Sequence, residues 1–109
     1  MTEPDTTARG TTAVNLTYLI YDSTLETDVQ EFLSDFEIRH FTLWAGVHGA
    51  GSHSEPRMDS HTWPGTNHVM AVLGDQTIED HLYTLVAHIR QKTPGVGIKA
   101  ITVPVLRHS

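Results

Sequence analysis

The chain predicts a single α+β domain with the element order β-α-β-β-α-β, and three observations carry that expectation. Leu25, Val29, Phe32, Leu33 and Phe36 lie at offsets of 0, 4, 7, 8 and 11, the spacing of one helix face, and Ile78, Leu82, Leu85, Val86 and Ile89 repeat the same offsets. Each member of the second set stands 53 positions after its counterpart, and Leu16, Leu19 and Ile20 map by the same interval onto Val69, Val72 and Leu73. Four segments rich in β-branched and aromatic residues flank the two helical patterns. Two strand–helix units thus share one pattern, an internal pseudo-symmetry.

Residues 1–12 are polar, rich in Thr and contain Pro4, so they read as a disordered N-terminal tail preceding one domain over 13–109. Val14–Tyr21 is the first strand, ended by Asp22-Ser23. Ser23-Thr-Leu-Glu26 matches a capping box, in which a hydroxyl and a carboxylate satisfy orphan N–H groups reciprocally, and the first helix should end near 35–37. Ile38–Val47 is the second strand, with Phe41, Leu43, Ala45 and Val47 on one face and His40, Thr42 and Trp44 on the other. A long loop follows, and Asn67–Leu73 is the third strand. Gly74-Asp75 ends it, the second helix follows, and Lys92-Thr-Pro-Gly closes that helix with a cation and then two breakers. Ile98–Leu106 is the last strand.

This order is the ferredoxin-like, or split βαβ, arrangement: a four-stranded antiparallel sheet, two helices on one face and a long loop between strands two and three. The opposite face should carry Trp44, Met70 and an aromatic of the first strand. An apolar face of that size is seldom left in water, so oligomerisation through the sheet is expected.

Composition narrows the function. With 7 basic against 13 acidic residues and a formal charge of −6, the chain lacks the clustered basic face that nucleic acid requires. It has no cysteine, which excludes disulfides, thiolate metal sites and cysteine nucleophiles. The opening Met-Thr-Glu-Pro-Asp has neither a basic nor an apolar run, and no stretch is long enough to insert in a membrane, so a cytoplasmic protein is expected.

The loop from His48 to His68 holds four of the eight histidines, together with Glu55, Arg57, Asp59 and Trp63. It far exceeds the usual connection of about 4–6 residues, and such loops are commonly functional. Glu55-Pro56 and Trp63-Pro64-Gly65 restrict it conformationally. His48, His53, His61 and His68, with Glu55 and Asp59 as oxygen donors, are candidate ligands for a transition metal such as Zn, Cu or Ni. The alternative is a solvated loop whose histidines bind nothing. Arg57 could grip an anion, Trp63 could anchor the returning limb, and Gly46, Gly49 and Gly51 allow close backbone approach. His81 and His88 are seven apart on one helix, about 10.5 Å by helical rise, and cannot share one ion. His40 reads as an interface histidine.

Two segments carry a family resemblance. The loop after the second strand stands where PII signalling proteins carry their T-loop. Thr93-Pro-Gly-Val-Gly-Ile-Lys-Ala-Ile-Thr-Val-Pro-Val105 resembles the PII C-terminal signature, with Ile98 inserted between Gly97 and Lys99 and Val96 in place of an acidic residue. The loop lacks the tyrosine-bearing sequence of nitrogen-control members. The chain therefore resembles a divergent member of the PII, PII-like and CutA group. The resemblance implies a homotrimer and an effector-binding cleft between subunits that involves Gly95, Gly97 and Lys99, where an adenine nucleotide sits in the family. It also implies a target protein engaged through the loop. Two other readings stand beside this sensor: a small cofactor-independent enzyme using His40 and His68 as acid and base, and an interaction module with no ligand.

Overall fold

Alternation in the first strand and helical spacing in the two amphipathic segments produce the expected layers. In the computed structural model, which describes residues 13–48 and 66–109, the chain runs β1 (Asn15–Asp22), a 3₁₀ turn (Ser23–Leu25), α1 (Glu26–Asp35), β2 (Thr42–Val47), β3 (Asn67–Gly74), α2 (Gln76–Lys92) and β4 (Ile98–Pro104). β1 pairs antiparallel with β3 on one side and β4 on the other, and β3 pairs with β2, giving the order β2-β3-β1-β4. This is the ferredoxin-like α+β fold. The tail over 1–12 lies outside the described residues.

Register sorts every side chain to a face, because facing residues of antiparallel neighbours share one side of the sheet. Thr17, Leu19 and Tyr21 of β1, Met70 and Val72 of β3 and Ile98 of β4 are buried beneath the helices. They form one core with Leu25, Val29 and Leu33 on the α1 side and Leu82, Leu85, Val86 and Ile89 on α2. Each fully buried aliphatic side chain contributes roughly 1.5–3 kcal/mol. Met70 departs from expectation: it pairs with Leu19 and Leu43 and is 0% exposed, on the helix side. The β3 run is apolar on both faces, so alternation alone could not assign Met70, and the pairing with Leu19 decides it.

The other face carries Leu16, Tyr18 and Ile20 of β1, Trp44 of β2, Val69, Ala71 and Leu73 of β3 and Ile101 and Val103 of β4, and among the described residues no helix or strand packs over it. Trp44 is 49% exposed, Ile101 45%, Leu73 43% and Val103 39%. The 53-residue repeat survives in this sorting: Leu19 and Val72 both face the core, while Leu16 with Val69 and Ile20 with Leu73 both face away.

Helix boundaries show where local chemistry differs from the sequence pattern. The Ser23–Glu26 capping box is not formed. Asp22 caps instead, accepting from the Thr24 N–H at 2.8 Å and the Thr24 hydroxyl at 2.7 Å, and Glu26 turns to other partners. Asp75 caps α2 through the Ile78 N–H, and Arg90 and Lys92 occupy its last turn, where they complement the helix dipole. α1 closes in a Schellman arrangement: Ile38 N–H donates to Leu33 C=O at 2.8 Å and Glu37 N–H to Ser34 C=O at 3.0 Å. Ile38 is thereby drawn into the core, and β2 begins at Thr42 rather than at residue 38.

Glu37 holds the left-handed position of this closure with φ of 58°, which is costly for a residue with a Cβ. Glu37→Gly is expected to raise the unfolding free energy by about 1 kcal/mol, read as a higher urea midpoint at unchanged slope.

Candidate functional site

One end of the sheet gathers most of the described residues that the sequence singled out. β1 finishes there at Tyr21-Asp22, β2 finishes at Gly46-Val47 before His48, β3 starts at Asn67-His68, and β4 starts just after Gly95-Val96-Gly97. Backbone bonds tie these ends together. Asp22 N–H donates to Gly97 C=O at 2.9 Å, and Ser23 N–H donates to Thr66 C=O at 3.0 Å. Adjacent residues of the β1 terminus thus hold both the returning limb of the long loop and the glycine turn before β4.

Two glycines are required by their backbone conformation. Gly46 has φ of 72° where the β2–β3 register shifts between Trp44 and Val47, the geometry of a bulge that re-aims the strand into the loop. Gly95 has φ of 91° in the turn after α2. Lys99 faces Ile20 across the β1–β4 pair, so it lies on the open face near the same end, and it is exposed.

A polar cluster lies on the helix side of this end. Glu26, the first residue of α1, accepts from the Tyr21 hydroxyl at 2.7 Å on Oε1 and from Gln30 Nε2 at 2.6 Å on Oε2. His68 Nδ1 stands 2.7 Å from the same Oε1. Tyr21 and His68 also meet edge to face, with ring centroids 5.7 Å apart. Burial pulls the Glu26 carboxyl upward, but hydrogen bonds from Tyr21, Gln30 and His68, and the charge His68 carries when protonated, outweigh it and hold the group below its ordinary value. Burial, with the neighbouring Glu26 carboxylate, pushes the Tyr21 phenol well above its usual range, so it acts only as a neutral donor.

Sequence reasoning placed His68 at this end but assigned Glu26 to a capping box and did not single out Tyr21. The signal that could have joined them is strand register, since Tyr21 and His68 are paired residues on one face. His48 is exposed just beyond β2. Among the described residues, no three His, Asp or Glu side chains come together as a metal site would require. Gly49, Gly51, His53, Glu55, Arg57, Asp59, His61 and Trp63 lie outside the described residues.

His40 sits at the other end. It lines a groove of about 480 Å³ with Arg39, Phe41 and Thr42 above a floor of Leu16, Ala71 and Leu73. His40 and His68 are therefore on opposite faces and at opposite ends of the sheet, and the two do not converge as one acid–base pair. His81, half-buried, stacks on Phe36 at 4.2 Å between centroids, while His88 is exposed and lies 6.2 Å from Phe32.

Comparison with solved structures places this architecture. A nitrogen regulatory PII-like protein of Thiomonas intermedia, CPII, bound to ADP, AMP and bicarbonate, matches over 89% of this chain and 97% of its own, with a TM-score of 0.58 and 11% identity. The fold is the PII-like one. A DUF3240 family protein of Shewanella baltica matches over 88% of this chain and 93% of its own, with a TM-score of 0.61 and 14% identity. CutA1 of Oryza sativa matches over 90% and 84%, with a TM-score of 0.56 and 8% identity. No family model matches the sequence, and no curated protein matches it. No helix among the described residues is long and apolar enough to cross a membrane.

The cluster carries a stability consequence. A carboxyl depressed in the folded state stabilises the fold above its unfolded value near 4.5, and that contribution disappears as pH falls through the lowered folded value. The urea midpoint of the wild type should therefore fall on acidification below about pH 5, whereas Glu26→Gln should start lower and show a flatter profile across that window.

Proposed function

We propose that the chain is a PII-like regulatory protein that binds a small effector where the sheet meets the long loop and signals to a target protein through residues 48–68. The observation that carries this reading is the gathering of Gly46, His48, His68, Gly95 and Gly97 at one end of a PII-like sheet, with Lys99 on the adjoining open face. A turn of exposed glycines leaves backbone N–H groups accessible to anionic oxygen, and a nearby lysine supplies charge. A nucleotide or a small anion is the effector class this chemistry favours, in keeping with the ADP, AMP and bicarbonate named for CPII.

The uncovered apolar face supports assembly through the sheet, and the threefold number follows the PII resemblance. Assembly would set Lys99 at the margin of a neighbouring subunit, which suits an effector site shared between copies. A transition metal held by His48, His53, His61, His68, Glu55 and Asp59 belongs to the same reading as a second effector class.

Sedimentation equilibrium is expected to give three times the 12.1 kDa chain mass. Ile101→Asp, which places a charge on the open face, should lower that mass while leaving the far-ultraviolet dichroism unchanged. Calorimetry should detect binding of ADP or bicarbonate, and Lys99→Ala should weaken ADP by roughly tenfold, the scale of one lost charge-assisted hydrogen bond. A monomeric wild type, or one that binds neither probe, overturns the reading.

A further inference from the structure

Glu26 does more than join two elements: it determines which nitrogen of His68 carries the proton. An ionised carboxylate only accepts hydrogen bonds, so the 2.7 Å contact between Glu26 Oε1 and His68 Nδ1 requires Nδ1 to be the donor. Glu26 also accepts from Tyr21 on Oε1 and from Gln30 on Oε2, and these fix the carboxylate as the carboxylate fixes the ring. Tyr21 packs edge-on against the imidazole and limits its rotation. In the neutral ring the lone pair therefore resides on Nε2, for which the described residues provide no hydrogen-bond partner. The His68 side chain keeps 15% of its surface exposed.

We propose that His68 is a ligand-reading residue of the effector site, its Nε2 accepting a hydrogen bond from a hydroxyl or amino group on an anionic effector, with Glu26 as the positioning residue that sets the tautomer. The proposal rests on the reading above, that an effector binds at this end of the sheet. It narrows the effector to anions that also carry an O–H or N–H donor. Bicarbonate offers such a donor in its own hydroxyl, and a nucleotide offers one on its sugar or base. A simple carboxylate such as acetate offers none.

The test uses the full chain at pH 8, with bicarbonate, ADP and acetate as calorimetric probes. His68→Ala is expected to weaken bicarbonate, ADP or both by about tenfold, the scale of one hydrogen bond, with acetate unaffected. Loss confined to bicarbonate assigns the small anion's hydroxyl as the group read, and loss confined to ADP assigns the nucleotide's sugar or base. His68→Gln, whose amide oxygen is an acceptor of similar reach, should recover part of the affinity. Nitrogen-15 spectra of the imidazole should show the Nδ1–H tautomer in the wild type and a mixture in Glu26→Gln, and addition of bicarbonate or ADP should shift the wild-type Nε2 resonance, a change that a purely structural contact would not produce. An Nε2–H tautomer in the wild type, unaltered affinities in His68→Ala, or a loss that acetate shares equally overturns this inference and leaves effector binding standing. A wild type that binds neither bicarbonate nor ADP overturns both.

Discussion

Strand β1 is apolar on both faces and hydrogen-bonded along both edges, and the rest of the molecule follows from that constraint. A strand of this kind must sit in the interior of a sheet, because either edge left open would strand a row of backbone donors and acceptors. β3 and β4 satisfy the edges. The two helices satisfy only one of its faces, covering Leu19 and Tyr21. Leu16, Tyr18 and Ile20 remain on the other, continuous with apolar residues of the three other strands. Core formation within one subunit and a surface suited to association therefore come from the same eight residues.

The central strand also organises chemistry at its C-terminal end. Tyr21 directs its hydroxyl toward α1, while the backbone of Asp22 and Ser23 reaches the segments on either side. Glu26 is the meeting point on the helix side. Its two oxygens receive donors from β1, β3 and its own helix, so the carboxylate stays ionised despite partial burial. A fully partnered carboxylate of this kind orders its neighbours as well as stabilising them.

Much of the fold was legible in the sequence because helical spacing and the 53-residue repeat are both consequences of a two-faced core. The repeat places Leu19 with Val72 and Leu33 with Val86, and all four are buried. Pattern failed where it was degenerate. Met70 lies in a run apolar on both faces, so only pairing could assign it, and residues 38–41 look extended although Ile38 belongs to the closure of α1. The site was legible in part. Glycine content and the loop's position marked the end of the sheet at which Gly46, His48, His68, Gly95 and Gly97 come together. The Tyr21–Glu26–His68 cluster was not, because its members stand 5 and 42 residues apart and only register brings them together. Glu26 also satisfied a convincing local pattern, which concealed its long-range partner.

The pair of backbone bonds from Asp22 and Ser23 has a mechanical side. Gly97 and Thr66 stand 31 positions apart in the chain, yet each is hydrogen-bonded to one of two consecutive residues, so a single peptide unit links them. An event at the glycine turn does not have to travel through the hydrophobic interior to reach the segment preceding β3. The shortest route between them is one residue long and runs through the main chain, where only a proline at position 22 or 23, lacking the N–H, would remove it.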